Sequence, residues 1–189
     1  MSNITTRPLT TNELVALVSN SKPPWKHIFF LSAYTGLRIS DLLTLPWTET
    51  PPEGPIYEQK TKKYRSILWS ELSTHHWKAL WACGQPREHL FQFRDPSTYR
   101  KRLQAEAKRL GFSTPRVSYH SLRKTHAVIA YRRGGVLAAK ASMNHSSLST
   151  TERYISEALR LESTVFFDAI FTPSSKTVGE IREMNHDQH

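Results

Sequence analysis

With 189 residues, 38% of them apolar and 11% aromatic, the chain can bury one substantial core, and this composition excludes an intrinsically disordered protein. The formal net charge of +10 indicates a polyanionic partner, with charge kept for solubility as the alternative. The single cysteine, Cys83, excludes an internal disulfide and a cysteine-rich zinc site, and the lack of a secretion signal or a long apolar run favours a cytoplasmic protein.

Two helices are predicted in the first part of the chain. Thr10-Thr11 and Glu13 form a capping pattern in front of an apolar run, and this first helix ends near residues 19–22. The Pro23-Pro24 pair opens a longer second helix with an apolar face. Gly36 ends or bends that helix, because glycine favours the conformations that stop one.

A short third helix and then a β-hairpin are predicted next. The helix spans residues 39–45, and the pattern changes its period between Gly54 and Ser70. The segments GPIYEQK and YRSILWS are short and rich in aromatic and β-branched residues, and a basic TKK turn joins them. This pattern predicts an antiparallel hairpin with lysines at its tip.

The rest of the chain reads as helical, with glycines at two of the predicted stops. Gly111 ends one helix and Gly134-Gly135 ends another. The predicted helices span residues 70–83, 96–110, 118–133, 136–143 and 149–161. The sequence therefore predicts a mainly α fold with one small antiparallel β-hairpin, an α+β architecture.

The end of the chain differs from the body in charge and composition. Residues 1–150 hold 22 basic and 9 acidic residues, whereas residues 151–189 hold 4 basic and 7 acidic residues. The segment SEALRLESTVFFDAIF is dense in apolar residues, so it must dock on its own chain or on a neighbour. We expect one domain over residues 1–172 and a polar, flexible tail over residues 173–189.

Three motifs place polar groups where core packing does not explain them. TGLR puts Arg38 at a helix junction, where an anion can sit, although a solvated arginine is the alternative. YHSLR puts His120 and Arg123 on one helix face, which sets a proton-transfer group beside a bidentate anion clamp, with a solvated polar face as the alternative. Lys60 enters the hairpin tip, from which a lysine can protonate a leaving oxygen.

A fourth motif runs from His145 to Tyr154 in MNHSSLSTTERYI. A phenol that attacks a phosphodiester needs in-line placement and neutralisation of the non-bridging oxygens, and Arg38 and Arg123 are the candidates for that neutralisation. The covalent intermediate would conserve the energy of the broken bond and permit rejoining without ATP. The alternative for Tyr154 is an ordinary tyrosine of an amphipathic helix.

The order of these motifs resembles the catalytic set of the tyrosine recombinases, the phage-integrase and Xer-like family. The resemblance runs from about Leu9 to Arg160 and rests on TGLRISDLL, YEQKTKKYRSILWS, YHSLRKTHAVIAYRRGG and MNHSSLSTTERYI. It implies the catalytic-domain fold of that family and site-specific DNA recombination without a cofactor or a metal, in a bacterial or phage-infected cell.

The resemblance implies that three side chains bind the scissile phosphate. Arg38 and Arg123 would hold its oxygens, and His145 would hydrogen-bond to it. Two of three departures from the family pattern lie near His145. Asn144 stands where the family usually has glycine, and the interval from Arg123 to His145 is about a residue shorter than is common.

Three further residues would carry the chemistry. By the same resemblance His120 would act as the base, Lys60 would protonate the departing 5′-hydroxyl, and Tyr154 would form the 3′-phosphotyrosyl bond. Lys124 and His126 replace the more usual neighbours of the second arginine. None of these departures removes a catalytic group.

Double-stranded DNA is the expected partner. Basic residues of the hairpin and of the helix at 96–110 would contact its backbone, with base readout by Arg100 or Arg102 as a further expectation. The expected DNA-binding residues are Lys62, Lys63, Arg65, Arg100, Lys101, Arg102, Lys108 and Arg116. The resemblance also implies a tetramer on DNA, with exchange of the acidic, apolar C-terminal segment between protomers or its docking in cis.

Two other functions fit the same residues, and one domain that is usual in the family has no counterpart in the sequence. A topoisomerase of type IB would use the same chemistry to relax supercoils, and a DNA-binding regulator could use the fold without catalysis. The N-terminal helical domain usual in the family is absent from the sequence, so we expect either a minimal member, like the short fimbrial inversion recombinases, or a fragment.

Overall fold

The structure, a computed structural model, describes residues 6–152 and 155–156, and eight helices and strands lie before residue 148. In chain order they are α1 (Thr11–Asn20), α2 (Trp25–Thr35), α3 (Ile39–Leu42), β1 (Ile56–Glu58), β2 (Lys63–Arg65), α4 (Glu71–Ala82), α5 (Pro96–Arg109) and α6 (Tyr119–Ser142). The strands form one antiparallel sheet. The predicted mainly α fold with a small hairpin is confirmed.

The predicted helix starts are present as reciprocal hydrogen bonds. The Thr10 hydroxyl accepts from the Glu13 amide at 3.1 Å, and the Glu13 carboxylate accepts from the Thr10 amide at 2.9 Å. Ser70 and Ser118 begin α4 and α6 with the same kind of capping box. Such caps satisfy amides that have no partner within the helix, so they place helix starts locally.

The predicted glycine stop is present, and one element boundary differs from the prediction. Element α6 covers the predicted helices over 118–133 and 136–143, and Gly134 and Gly135 between them have non-helical dihedral angles. The glycine pair therefore separates two helical segments at a kink, as predicted. The third helix is shorter than expected, because α3 ends at Leu42.

Helix α2 lies at the centre of the packing and contacts α1, α4 and α6. Its residues Phe29 and Leu31 are fully buried, as are Trp77 of α4 and Leu122 of α6. A helix buried on several sides has little freedom to shift, because each displacement opens a void in a close-packed core. The C-terminal end of α2 is thereby held beside the first half of α6.

A second, smaller core cluster lies under the last described residues. Val128 of α6, Met143 and Ile155 are buried together in it. Residues 148–152 and 155–156 are helical, in agreement with the predicted helix over 149–161 as far as the described residues go. The apolar segment after residue 157 and the predicted tail over 173–189 lie outside the described residues. None of the described helices is long and apolar enough to cross a membrane.

A buried histidine pair joins α2 to α4. The Nδ1 atoms of His27 and His76 lie 3.1 Å apart, and the His76 ring stacks on Phe30 with a centroid distance of 3.8 Å. Desolvation and the positive charges nearby lower the pKa of each imidazole to about 4. Both rings are therefore neutral at pH 7, and one Nδ1 donates to the other.

The free energy of unfolding is expected to fall as the pH is lowered from 7 to 5. In this window the unfolded chain protonates these histidines near pH 6.5, whereas the folded chain resists protonation down to about pH 4. The stability they contribute is present above pH 6.5 and declines by up to about 1.4 kcal/mol per pH unit for each histidine. Urea unfolding at several pH values measures the slope.

A double variant of the two histidines and a variant of an exposed residue on α4 test whether the pH dependence comes from this pair. The variant His27→Gln/His76→Gln should unfold with a shallower dependence on pH than the wild type, whatever its stability at pH 7. The variant Leu72→Gln should keep the wild-type slope, because Leu72 is exposed on α4 and has no titratable group. Equal slopes in the wild type and the double variant would contradict the assignment.

Candidate active site

The site forms where the end of α2 meets α6 and the hairpin. Gly36 ends α2 in the left-handed conformation, with φ 60° and ψ 15°, and its amide donates to the Ser32 carbonyl at 3.1 Å. The chain then turns through Leu37 into α3, which begins after Arg38. The Arg38 side chain is only 18% exposed, so the structure does not support the alternative of a fully solvated arginine.

Arg123 of α6 connects two loops through its guanidinium group. The side chain is 2% exposed, and its Nη1 donates to the Gly36 carbonyl. Its Nη2 lies 3.3 Å from the Met143 carbonyl and 3.4 Å from Nε2 of His145. The structure thus brings together Arg123 and His145, which are 22 residues apart in sequence.

Glu58 lies between the arginines and was not predicted from the sequence. Its side chain is completely buried, and its Oε1 atom lies 3.4 Å from Nη1 of Arg38 and 3.7 Å from Nη1 of Arg123. The signal that could have found it is the strand period: Ile56 and Glu58 lie two residues apart on β1 and share its buried face. The apolar Ile56 marks that face as inward.

Arg65 differs from its expected role as an exposed DNA contact. It is 7% exposed, its Nη2 donates to the Thr35 carbonyl, and its Nη1 lies 3.8 Å from Oε1 of Glu58. Desolvation first, and then the charge of Arg123, lowers the pKa of Arg65 to about 10. The reason for the difference is register, because Arg65 pairs with Ile56 across the hairpin and faces the same interior.

The protonation of His145 follows from its two neighbours. A guanidinium group can only donate, so Nε2 of His145 accepts from Arg123 and the proton resides on Nδ1, which donates to the Thr151 hydroxyl at 3.1 Å. Desolvation first, and then the charges of Arg123 and Arg38, lowers the pKa of His145 to about 4. The imidazole is therefore neutral at pH 7.

His120 lies at the surface in the first turn of α6, beside the cluster of cations. Desolvation is the first cause that lowers its pKa, and the positive charges of Arg123, Lys124, Arg38 and Lys60 follow. The imidazole itself remains exposed to solvent, where it can meet a bound substrate. A neutral imidazole among cations can accept a proton at pH 7.

Lys60 is exposed in the turn of the hairpin, whose base is fixed on both sides of it. The Gln59 amide donates to the buried carboxylate of Asp41 at 2.9 Å, which ties the hairpin to α3. The Thr61 hydroxyl donates to Oε2 of Glu58 at 3.2 Å. Lys60 therefore extends from an anchored turn, and its charge acts on His120.

Asn144 occupies the position where the family pattern has glycine. Its φ of 54° is the left-handed conformation, which asparagine tolerates better than most residues. Its side-chain amide donates to Oε2 of Glu58 at 3.0 Å and lies 3.3 Å from the Tyr64 carbonyl. Asn144 therefore adopts a conformation that glycine also favours, and its side chain adds a bridge from the loop before His145 to the hairpin.

Tyr154 lies outside the described residues. On one side of it, Thr151 is fully buried and bonded to His145, and on the other side Ile155 is 3% exposed in the second core cluster. Thr151 is therefore packed against the site, and Ile155 is packed in the second core cluster. The role of Tyr154 itself remains a prediction from the sequence.

Some of the residues expected to bind DNA are exposed, and others contact groups of the same chain. The hairpin lysines Lys62 and Lys63 are exposed. Arg102 instead lies 2.6 Å from Glu106 and over the Trp25 ring, so its charge is engaged within the chain. Arg116 is half-buried. The exposed members of the expected set on α5 are Arg100, Lys101 and Lys108.

Among the solved structures that are similar to this chain are two recombinases and the catalytic domain of a third enzyme. The XerA recombinase is 23% identical over 86% of this chain and 65% of its own, with a TM-score of 0.68. The catalytic domain of bacteriophage HP1 integrase is 24% identical over 90% and 99%, with a TM-score of 0.60. A lambda integrase dimer bound to a COC′ core site is 19% identical over 82% and 60%, with a TM-score of 0.65.

This chain covers different shares of the three structures, and the family model covers most of this chain. The chain spans less than two thirds of the XerA and lambda integrase structures, and nearly all of the HP1 catalytic domain. No curated protein matches the sequence. The sequence model of the phage integrase family matches residues 7–160. The chain therefore belongs to the phage integrase family and has the fold of a tyrosine recombinase catalytic domain.

Proposed function

We propose that the protein is a site-specific DNA recombinase that cuts and rejoins DNA strands through a 3′-phosphotyrosyl bond to Tyr154. One observation carries the proposal: Arg38 and Arg123, from different elements, lie within 3.7 Å of one carboxylate oxygen, and the same Arg123 contacts His145. Positive groups that converge in this way can neutralise the oxygens of a phosphodiester.

The phosphate would take over hydrogen bonds that now lie within the protein. Arg38 and Arg123 would donate to its non-bridging oxygens. For His145 to donate as well, Nε2 must gain a proton. The Thr151 hydroxyl can donate or accept, so the imidazole can exchange its tautomer without losing this contact. The negative charge of the phosphate also favours the proton on His145.

The proposed cleavage step moves two protons. The phenolic oxygen of Tyr154 attacks phosphorus, the bond between phosphorus and the 5′ oxygen breaks, and the phenolic proton passes to the neutral His120. Lys60 gives a proton to the departing 5′ oxygen. The reverse sequence rejoins the strand, because the phosphotyrosyl bond retains the energy of the broken phosphodiester.

The proposed partners are double-stranded DNA and further copies of the protein. Among the similar structures, XerH is bound to a palindromic difH substrate and lambda integrase forms a tetramer on a Holliday junction. The apolar segment near the C-terminus is the candidate for exchange between protomers. Its acidic character suits contact with a body that has excess positive charge.

A nicked suicide substrate tests the proposed chemistry. Incubation with a library of nicked duplexes of random sequence should yield a protein–DNA adduct that resists denaturation, and sequencing the captured DNA identifies the target. The variant Tyr154→Phe should give no adduct and bind DNA as before. The variant Tyr131→Phe, a half-buried tyrosine on α6, is the matched control and should behave as the wild type.

Other outcomes would replace the proposal. DNA binding without any adduct from the wild type would indicate a regulator that uses the fold without cleavage. An adduct that persists in Tyr154→Phe would place the nucleophile elsewhere. Relaxation of supercoiled plasmid without strand exchange between two duplexes would indicate a topoisomerase.

The exposed basic residues are expected to set the salt dependence of DNA binding. Each lysine or arginine that neutralises a phosphate contributes about 0.9 to the slope of log affinity against log salt concentration. The variants Lys62→Ala/Lys63→Ala and Arg100→Ala/Lys101→Ala should each reduce that slope by about two. Fluorescence anisotropy of a labelled duplex measures it.

A lysine outside these patches is the control. Lys78→Ala removes an exposed charge on α4 and should leave the slope unchanged. A pair of substitutions with the same slope as the wild type would remove that pair from the DNA-binding surface. The two pairs are independent, because they lie on the hairpin and on α5.

A further inference from the structure

The proposed chemistry does not explain why Glu58 lies at this position. A fully buried carboxylate lies where an anionic phosphate is expected to bind, and its Oε1 is 3.4 to 3.8 Å from the Nη1 atoms of three arginines. These arginines are Arg38, Arg65 and Arg123. A like-charged residue in a phosphate site weakens phosphate binding, so its presence needs a compensating role.

The second oxygen of Glu58 fixes the carboxylate in place. Oε2 accepts from the Thr61 hydroxyl at 3.2 Å and from the Asn144 side chain at 3.0 Å. Thr61 follows Lys60 in the hairpin, and Asn144 precedes His145. Both oxygens of one buried side chain therefore connect the two loops that carry predicted catalytic residues.

Three buried or half-buried guanidinium groups cannot remain close together without a counter-charge. Their mutual repulsion is strong in a poorly hydrated site, and Arg65 and Arg123 are 7% and 2% exposed, with little water to screen them. Glu58 is the acidic residue within ion-pair distance of all three. Removal of its charge would favour separation of the guanidinium groups, although their bonds to backbone carbonyls would remain.

We propose that Glu58 is a positioning residue, an internal counter-ion that holds Arg38, Arg65 and Arg123 at the phosphate site and connects the Lys60 hairpin to the His145 loop. The part of this inference that concerns cleavage rests on the proposed function. The part that concerns anion binding does not, because it depends only on the charge between the arginines.

Removal of the Glu58 charge is expected to have opposite effects on phosphate affinity and on the rate of cleavage. Glu58→Gln keeps the size of the side chain and its acceptor oxygen, and removes the repulsion between the carboxylate and a bound anion. Affinity for inorganic phosphate should therefore rise about tenfold, by the Coulomb energy of two close charges. Cleavage of the nicked duplex should slow about 100-fold, since the arginines no longer hold the aligned geometry.

The experiment measures both quantities on the full chain. Isothermal titration with inorganic phosphate gives the affinity, and single-turnover formation of the adduct gives the rate, on the duplex captured with the wild type. Tighter phosphate binding together with slower cleavage supports the proposal. Unchanged phosphate affinity overturns it, and so does weaker binding together with slower cleavage, which would indicate a loss of structure only.

Two further variants separate the effect of the Glu58 charge from the effect of the bridge between Glu58 and Asn144. Asn144→Gly introduces the glycine usual in the family and removes the side-chain bridge to Glu58 and to the Tyr64 carbonyl. It keeps the charge of Glu58, so it should slow cleavage and leave phosphate affinity within about twofold of the wild type. Glu106→Gln is the matched control, because Glu106 is also a buried carboxylate between two arginines, Arg102 and Arg109, on α5. It should change neither quantity.

The experiment still tests the proposal if Glu58→Gln does not fold or if the wild type forms no adduct. If Glu58→Gln does not fold, Glu58→Asp keeps the charge and shortens the side chain, and it should slow cleavage without tighter phosphate binding. A tenfold rise in phosphate affinity for Glu58→Asp would overturn the proposal. If the wild type forms no adduct, the proposed function fails, and the phosphate titration of Glu58→Gln still decides whether Glu58 acts as the counter-ion.

Discussion

Replacement of Arg123 by lysine is expected to slow formation of the covalent adduct by about 100- to 1,000-fold, the usual effect of losing a donor to the transition state. The guanidinium group of Arg123 donates to two backbone carbonyls and lies 3.4 Å from His145. Lysine keeps the positive charge but carries it on one nitrogen, so it cannot hold these contacts and two phosphate oxygens together.

The measurement is single-turnover adduct formation on the captured nicked duplex, with DNA affinity measured separately. Affinity should change by less than about fivefold, because most of the binding energy comes from many other phosphate contacts. Arg133→Lys is the matched control, since Arg133 lies on the same helix and is exposed. A wild-type rate for a folded Arg123→Lys protein would remove Arg123 from the phosphate site.

The second large effect is expected on stability. Gly36→Ala should reduce the free energy of unfolding by about 3 kcal/mol or more, as the sum of left-handed backbone strain and overpacking. Gly36 has φ +60°, and an added Cβ would lie 2.5 Å from Cδ2 of His126. The His126 ring cannot move away freely, because its Nδ1 lies 3.0 Å from the Ala33 carbonyl and its Nε2 lies 3.5 Å from Arg65.

Three comparisons divide this effect into its causes. Gly111→Ala meets the same backbone strain, with φ +77° and no atom within 4 Å of the added Cβ, and should cost about 1 kcal/mol. Gly54→Ala has neither strain nor contact and should be close to neutral. In a His126→Ala background, Gly36→Ala should cost less than it does in the wild type, because the ring that the added Cβ meets is gone. Urea unfolding of the wild type and all five variants measures these differences, and equal losses for Gly36→Ala and Gly111→Ala would contradict a contact with His126.

Much of the fold could be predicted because its signals are local. The capping box of Thr10 and Glu13 and the β-branched segments of the hairpin each act within a few residues, so they place helix starts and strands from sequence alone. The stop at Gly134-Gly135 is also local, and the non-helical dihedral angles of both glycines agree with it. The end of the third helix was predicted less well, because α3 ends at Leu42 and the prediction extended it to residue 45.

The candidate site was predictable to a smaller extent. The sequence pattern selected Arg38, Arg123 and His145, and the structure brings these three together. It did not select Glu58, and it assigned Arg65 to the surface. A charged residue in a short basic hairpin is usually solvated, so the pattern favoured exposure, and only the pairing of Arg65 with Ile56 turns it inward.

By itself the sequence determined the mainly α architecture, the family and the order of the predicted catalytic residues, because period, caps and motif spacing are properties of neighbouring residues. Only the tertiary structure decided which charges are buried together. Burial of Glu58 with three arginines depends on partners from the residue before α3, from β2 and from α6. A charge loses its water only when such partners replace it.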